Sequence, residues 1–444
     1  MAEASSTRRV TEFPSIVVTK ILSHLDWVDK VNAGNAFPAW RSHMFTSAAW
    51  PSVVYTGEAQ ENEYFAPEKR TKFLLCVKTY GNHMRSIHIS FGYAIGRSGQ
   101  RILTAVANHC KNLRSFLFCT SETQEFSTPS ELLLKRGDVA GFVNILKACS
   151  DLNDVHLIDP HISWSDPADS GTNIILELTR LGLAGKITEL RLKSSSLTDH
   201  EGYLNLLDHF THLRHLSVYR EKINDRLLLS LVRRGLQDVC LYQEEELALE
   251  DSQQLQEDVW EEVHGINPHF RIDLVLRYIL IIKDMFVKNM PIRSLILDDL
   301  VNIVTKGVMV HLIENYQHTL ESFTYTNLYL EHFESGDTRL PAVLIQMAAT
   351  CTKLRSLKYG FPLSSTTILL LVKARKFSEF VIPSVEVSYE FDLPESQVEE
   401  QWGGETVCWV KAHYGSEHRL EQAVSHMLGF PWTLQDAPIR AMDI

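Results

Sequence analysis

The residues most able to bind a metal are the nineteen histidines, which are scattered along the 444-residue chain. The nearest approach to a cluster is His209, His212 and His215, at three-residue spacing. Zinc ligands must converge on one point with fixed geometry. This run passes from a helical pattern into a strand pattern, so its three side chains do not share a face. The spacing favours ordinary surface or core histidines, and we expect no metal site.

The seven cysteines include no C-x-x-C pair, and an odd number of this kind predicts reduced thiols over a disulfide framework. Cys110, Cys149 and Cys351 each lie three residues before the first apolar residue of a predicted strand. We therefore expect a small buried thiol at an equivalent packing position in each case. Equivalent positions of separate structural units would hold these thiols apart, which argues against a shared metal.

The segment QEEELALEDSQQLQEDVWEEV, at 243–263, concentrates acidic residues and contains no basic one. Paired carboxylates catalyse proton transfer only in a pocket that perturbs their pKa values. A like-charged stretch repels itself, so its composition favours a solvated insertion. Its Trp260 is also compatible with a flap that binds a partner.

Sequence patterns for other catalytic chemistry are missing. The run GYAIGRSG, from Gly92, lacks the G-x-G-x-x-G order and the Lys-Ser/Thr of a phosphate-binding loop. No nucleophile stands in a recognisable pattern with a base. We therefore expect a protein that is not an enzyme and needs no cofactor, with an enzyme in an unrecognised α/β domain as an alternative.

The net charge, 43 basic against 55 acidic residues, is −12. Nucleic-acid binding normally requires a basic surplus, so we expect no nucleic-acid partner. The most apolar segment, 274–287, is too short to span a bilayer and is interrupted by Arg277, Lys283 and Asp284. The first residues lack the apolar core of a secretory signal. We expect no membrane association and a cytoplasmic or nuclear location.

A six-residue pattern, apolar-x-x-apolar-x-apolar, recurs along the chain, and a helix-period segment precedes most copies. The end of each copy alternates apolar and polar residues, as a short strand with one buried face does. The copies begin at Met84, Leu113, Leu152, Ile187, Leu213, Leu236, Ile292, Leu320, Leu354 and Phe377, with a looser copy at Phe270.

A unit of one helix and one strand cannot bury its own apolar face, so neighbouring units must stack in series as a solenoid. We predict an α/β fold with parallel strands in chain order on the concave side and helices on the convex side. Because the spacing of the copies is irregular, an α/β sheet with strands in mixed order is the alternative.

Residues 13–50 predict a set of short helices instead. Phe13-Pro14 opens the first, since proline is tolerated in the first turn of a helix. Two spaced tryptophans, Trp40 and Trp50, follow. The apolar residues of the first helix recur at three- and four-residue spacing: Val17, Val18, Ile21, Leu22 and Leu25. So much apolar surface on short helices indicates a protein interface.

This segment resembles an F-box, and the repeats behind it resemble the leucine-rich repeats of F-box-only proteins. Phe13-Pro14 stands at the family's Leu-Pro position, Ile21-Leu22 at its Ile-Phe position, and Leu25 at the next Leu. Trp40 and Trp50 fall at the family's spacing, and Leu197-Thr198-Asp199 and Ile223-Asn224-Asp225 match its sequence after a strand. The chain departs from the pattern at Ile16, where an acidic residue is common, and at Lys30, where an apolar residue is usual.

The resemblance implies an all-helical F-box at 13–55 that binds the Skp adaptor of a cullin–RING ubiquitin ligase. Its adaptor-binding residues would be Phe13, Pro14, Val17, Ile21, Leu22, Leu25, Trp40 and Trp50. The other expected segments are a flexible arm at 1–12, a linker and first helix at 56–80, a leucine-rich-repeat-like solenoid at 81–385 with an acidic insertion at 243–263, and a C-terminal cap at 386–444. A scaffold that is not coupled to ubiquitin transfer is the alternative function.

The outward positions of the strands are the expected surface for a protein substrate. The apolar positions of the pattern point into the core, so positions three, five and seven face outward. Tyrosine with nearby cations is typical of interface centres. The candidate substrate-binding residues are His156, Arg191, Lys193, Tyr219 and Tyr242. The alternative is that these side chains only cover the strands.

Overall fold

The computed structural model describes residues 13–57, 67–91, 96–120, 136–158, 174–192, 206–244, 255–277, 286–298, 304–326 and 340–436. The chain divides into two compact units. Unit 1 comprises Met1–Ser217 and Arg233–Leu236, and unit 2 comprises Val218–Val232 and Gln237–Ile444. The arm expected at 1–12 and the candidate residue Lys193 lie outside the described residues.

Unit 1 contains a run of parallel strands in chain order, each hydrogen-bonded to the next. The strands are β1 (Val53–Gly57), β2 (Ser86–Phe91), β3 (Ser115–Thr120), β4 (Asp154–Ile158), β5 (Glu189–Arg191) and the beginning of β6 (His215–Tyr219). Every predicted strand from Met84 to Leu213 is present. β1 is an addition to the predicted strands. The sequence WPSVVY at 50–55 matches the apolar-x-x-apolar-x-apolar pattern but was not among the predicted copies.

The helices of unit 1 begin with α1 (Ser15–His24) and α2 (Trp27–Ala36), followed by 3-10 turns at Pro38–Phe45 and Ser47–Ala49. Between the strands lie α3 (Pro67–Tyr80), α4 (Gly96–His109), α5 (Arg136–Ala148) and α6 (Ile174–Arg180). Helices α3 to α6 each pack against the next one, so the helices stack in the same order as the strands.

The core of unit 1 lies between the strands and this row of helices. Phe116 and Phe118, at apolar positions of one repeat, are fully buried, and their rings lie 5.7 and 5.3 Å from that of Phe142 on α5. Burying a phenylalanine side chain stabilises a fold by roughly 1.5–3 kcal/mol. The contact joins a strand to the helix that leads into the next repeat, as the stacking argument requires.

Unit 2 continues the same organisation with parallel pairs between successive long strands. These strands are β7 (Asp238–Glu244), β8 (Arg271–Arg277), β9 (Ile292–Asp298), β10 (Ser322–Thr326), β11 (Ser356–Tyr359) and β13 (Glu379–Val381). A separate two-residue pair joins β12 (Leu363–Ser364) to β14 (Val387–Ser388).

The helices of unit 2 occupy the intervals between its strands and then follow the last one. They are α7 (Asp225–Arg233), α8 (Glu257–Ile266), α9 (Lys306–Tyr316), α10 (Leu340–Thr350), α11 (Ser365–Ala374), α12 (Glu395–Trp402), α13 (Gly404–His413) and α14 (Glu417–Leu428). Helix α7 begins at Asp225, and its cap is the Asn224 side chain, which accepts a hydrogen bond from the amide of Leu227.

Both units are therefore α/β arrays of helix–strand repeats with parallel strands in chain order. The predicted leucine-rich-repeat-like class is confirmed, and the alternative of a mixed strand order does not hold within either unit. The order follows from the sequence spacing, because a short connection brings each strand back beside its predecessor.

The acidic segment at 243–263 differs from the expected solvated insertion. Its second half forms α8, which occupies the helix position between β7 and β8. Val259, Trp260 and Val263 are buried on one side of this helix, and Trp260 is 1% exposed, so it cannot act as a flap. Helical spacing of three apolar residues outweighs the charge of the segment, and Glu257 and Asp258 lie favourably in the first turn.

The C-terminal segment packs against the last full repeat of unit 2. Helices α13 and α14 contact α11. The Trp432 ring stacks on Phe380 of β13, at 5.5 Å between centroids, and its Nε1 donates a hydrogen bond to the Phe380 carbonyl. These contacts cover the end of the apolar stack, which a terminal repeat requires.

Candidate functional site

The first turn of α1 and the residues before it expose apolar side chains. Phe13 is 45% exposed, Ile16 is 78% exposed and Val17 is 37% exposed. We name Phe13, Pro14, Ile16 and Val17 the N-terminal apolar surface. Ile21 and Leu25, also predicted to bind the adaptor, are half-buried on the same helical segment. These apolar groups are close together in sequence and exposed, which makes them candidates for an interaction site.

Three of the predicted adaptor-binding residues lie inside unit 1. Leu22 and Trp50 are fully buried and Trp40 is 6% exposed. The indole Nε1 of Trp50 donates a hydrogen bond to the Met44 carbonyl at 2.6 Å, and its ring stacks on Tyr80 at 5.1 Å. These three residues were predicted to contact the adaptor directly, but in the structure other residues of unit 1 cover them. Sequence periodicity identifies an apolar face without showing what covers it. These residues hold the helices in place.

Lys30, the departure from the F-box pattern, is 1% exposed. Its Nζ lies 5.1 Å from the centre of the Trp50 ring, a cation–π contact that partly replaces water around the ammonium. Burial lowers the pKa of Lys30, and the nearby Cys76 and Asp26 oppose that shift. The cation is therefore accommodated, at a cost in stability, where an apolar side chain would pack directly.

The outward-facing residues of unit 1 form a row across its strands, because matched strand positions lie side by side. We name this the outward row of unit 1. Its members, in strand order, are Val54, His88, Leu117, His156, Glu189 and His215. All six are half-buried or exposed, with Val54 49% exposed. The row is accessible and mostly polar.

His156 lies at the centre of this row, between two carboxylates. Its Nδ1 is 2.6 Å from Glu189 Oε2 and its Nε2 is 2.9 Å from Asp154 Oδ1. The hydrogen bond with Glu189 is the main cause that raises the pKa of His156 above its ordinary value, against the effect of burial. The same bond lowers the pKa of Glu189. The three side chains form one charged network.

Asp154 has further partners. Burial acts to raise its pKa, but hydrogen bonds from His156, Ser115 and Thr188 together lower it. The Thr188 hydroxyl is 3.2 Å from Asp154 Oδ1. Three neighbouring strands thus share the network, and Asp154 is fixed in its ionised form.

The place of Arg191 shows why sequence reasoning missed this network. His156 and Arg191 occupy position five of successive copies of the pattern, which predicts that they lie side by side. In the structure Glu189 is opposite His156 and Arg191 is opposite Ile158. The register shifts by two residues between β4 and β5, and no local signal in the sequence marks that shift. Glu189 was therefore not identified as a site residue.

The outward residues of unit 2 have a different character. Tyr242, Val275, Ile296 and Thr324 are matched across four strands, and we name them the outward row of unit 2. The same register continues through Lys358 and Val381, which are half-buried. Tyr242 and Val275 are each 8% exposed and Thr324 is 1% exposed. The Tyr242 ring lies 6.2 Å from that of Tyr219, which is half-buried. The predicted tyrosine pair exists, but Tyr242 offers little surface to a partner.

An ion-pair network lies two residues further along the same strands. The Arg277 Nε donates to Asp298 Oδ2 at 2.9 Å, and the Thr326 hydroxyl donates to Asp298 Oδ1 at 2.7 Å. Asp298 is 2% exposed. A carboxylate this deeply buried requires such partners, because the loss of water is otherwise uncompensated. This network supports the strands of unit 2.

Two of the three recurrent cysteines lie closer together than predicted. Cys149 Sγ is 3.2 Å from the Cys110 carbonyl oxygen, which places the two thiols in adjacent repeats of unit 1. Cys351 belongs to unit 2, where burial raises its pKa to about 11. All three are buried and act as packing residues.

Within the described ranges, no group of three or more His, Cys, Asp or Glu side chains is placed to hold a metal ion. Among the same residues, no helix has the length and apolarity needed to cross a membrane.

No protein-family model matches the chain, and no curated protein matches it. Among solved structures, the leucine-rich repeat-containing protein LegL7 from Legionella pneumophila is similar over 85% of this chain and 90% of its own, at 9% identity and a TM-score of 0.34. The Rad7 and Elc1 complex in yeast matches over 88% of this chain and 93% of that chain, at 13% identity and a TM-score of 0.42. Both likenesses are distant, so function is inferred from the chain's own residues.

Proposed function

We propose that this chain is the substrate-binding subunit of a Skp–cullin–F-box ubiquitin ligase and has no catalytic activity of its own. The N-terminal apolar surface is the observation that supports this most. Phe13, Pro14 and Val17 are accessible at positions where the F-box pattern has adaptor contacts. The buried Leu22, Trp40 and Trp50 then form the support beneath that surface.

The proposed role in ubiquitin transfer is positional. The adaptor would join this chain to a cullin–RING ligase, and the repeats would hold a protein substrate near the ligase-bound conjugating enzyme. Holding two reactants together accelerates a reaction without any catalytic side chain from the holding protein.

For the substrate surface, the outward row of unit 1 is favoured over that of unit 2. Its residues are accessible and combine apolar Val54 and Leu117 with charged groups around His156. The outward row of unit 2 is largely covered. Since binding requires accessible side chains, Tyr242 is better suited to support Tyr219 than to contact a substrate.

The adaptor assignment is tested with Phe13→Ala and Val17→Ala combined. Phe13 is 45% and Val17 37% exposed, so docking covers less than half of each side chain, which is worth about 0.5–1.5 kcal/mol apiece. We therefore expect the double variant to weaken binding of a purified Skp-type adaptor by about 10-fold. Titration calorimetry or a quantitative pull-down measures the effect.

Leu75→Ala is the matched control, because Leu75 is an apolar side chain, 65% exposed, on another helix of unit 1. It should leave adaptor affinity unchanged. Full-strength binding by the double variant, with a native circular dichroism spectrum, would exclude this surface as the adaptor site. Adaptor binding without co-purifying cullin would favour the scaffold function instead.

The substrate surface is tested with Val54→Asp and Leu117→Asp combined. Two charges placed where the substrate would cover them should remove the substrate from the complex while the adaptor remains bound. The control is Leu176→Asp, on α6 and 47% exposed. Bound proteins are compared by mass spectrometry after proteasome inhibition, and an identical set in all three samples would contradict this placement of the substrate.

A further inference from the structure

Both ring nitrogens of His156 lie within hydrogen-bond distance of a carboxylate oxygen, at 2.6 and 2.9 Å. A carboxylate can only accept these bonds, so each nitrogen must carry a hydrogen. Only the imidazolium form has two N–H groups. The geometry therefore requires a positively charged His156 whenever both bonds are present.

Each strand packed beside His156 contributes to its surroundings. Ser115 and Leu117 lie on β3, and Asp154 lies on β4 together with His156. Glu189 and Arg191 lie on β5. Beyond these strands, His88 of β2 and His215 of β6 continue the row on either side. Burial lowers the pKa of His88, and the charge of His156 lowers it further. The charges of His215 and Arg191 also act on Glu189, and His156 is the group within hydrogen-bond distance of both carboxylates.

Loss of the His156 proton would remove one of the two hydrogen bonds. Asp154 and Glu189 would then share a neutral ring, and each would keep its negative charge. Like charges at close range repel, so one carboxylate should turn away into solvent. The outward row would become more negative by one charge and less ordered at its centre.

We propose that His156 is a pH-sensitive latch that closes the outward row of unit 1 when it is protonated and opens the row when it is not. Because folding raises the pKa of His156 above 6.5, the stabilisation from its proton is complete below that pH and is lost as pH rises through the raised pKa. The lowered pKa values of Asp154 and Glu189 keep both carboxylates ionised in this range. This regulatory role rests on the proposed function. If the row binds a substrate, the open row would favour a basic substrate segment and disfavour an acidic one.

The latch is tested directly on the full chain by nuclear magnetic resonance with labelled histidine. His156→Gln identifies the signal of His156 by its disappearance. We expect that signal to titrate above the ordinary value of 6.5, and Glu189→Gln to shift its midpoint downward. Removal of the His156 charge should also shift the midpoint of His88 upward, which a purely structural role would not cause.

Glu177→Gln is the control, since this carboxylate lies on α6 and pairs with Arg180. It should leave the His156 titration unchanged. A His156 signal that titrates at or below 6.5, or one that ignores Glu189→Gln, would overturn the latch. Neither the adaptor nor a substrate is present in this experiment, so its result is independent of the adaptor and substrate tests.

Discussion

The outward rows of the two units are built from the same repeat but differ in chemistry. In unit 1 the row is accessible and centres on a histidine between two carboxylates. In unit 2 the row consists of a tyrosine, two aliphatic residues and a threonine, and Tyr242, Val275 and Thr324 are buried. The difference shows that strand position alone does not make a binding surface. Accessibility decides which outward residues can meet a partner.

The charges of the two faces differ in the same way. Asp298 of unit 2 is buried with Arg277 and Thr326, whereas the Asp154 side chain of unit 1 is 47% exposed. Water screens an exposed pair and does not reach a buried one. The network of unit 2 should therefore act mainly on stability, and that of unit 1 mainly on the charge of the surface.

The largest expected effect separates these two aspartates. Asp298→Ala should lower the free energy of unfolding by about 3–5 kcal/mol, because it leaves Arg277 buried without its carboxylate. Asp154→Ala should change it by less than about 1 kcal/mol, since solvent screens that pair. Urea unfolding of both variants measures the difference. Equal losses would show that the two faces do not differ in this respect.

A second contrast concerns buried cations. The Lys30 ammonium of unit 1 contacts the Trp50 ring, whereas the Arg277 guanidinium of unit 2 pairs with the Asp298 carboxylate. Lys30→Met should raise the free energy of unfolding by up to about 2 kcal/mol, whereas Arg277→Met should lower it.

The Lys30 effect should depend on pH. Burial lowers the pKa of Lys30, so folding favours the neutral form and the cost is present at neutral pH. As pH rises through that lowered pKa, the cost falls, and the gain from Lys30→Met should shrink. Thermal unfolding at pH 7 and pH 10 tests this, and a gain that grows with pH would contradict it.

The smallest expected effect is the coupling within the tyrosine pair of unit 2. Tyr219 and Tyr242 have ring centroids 6.2 Å apart, at an interplanar angle of 59°. A double-mutant cycle with Tyr219→Ala and Tyr242→Ala, measured by urea unfolding, should give a coupling free energy of about 0.5–1.5 kcal/mol. Coupling near zero would mean that the two rings do not stabilise each other.

The repeat architecture was predictable because its cause is local. Apolar residues at fixed spacing must be buried, and in Leu113, Phe116 and Phe118 all three apolar positions of one copy are buried. A short helix–strand unit then leaves stacking as the way to bury that face. The same reasoning failed to separate loop from helix at 243–263, where helical spacing around Trp260 competed with the acidic composition.

The sequence by itself determined the α/β class, the order of the strands and the apolar character of α1. Only the tertiary structure decided that Val17 is exposed while Leu22 is buried, and that Glu189 and not Arg191 faces His156. The exposure of Val17 and the partner of His156 have the same physical reason. Exposure and register depend on which neighbouring elements cover a residue, and those neighbours are distant in sequence. Periodicity within one element carries no information about them.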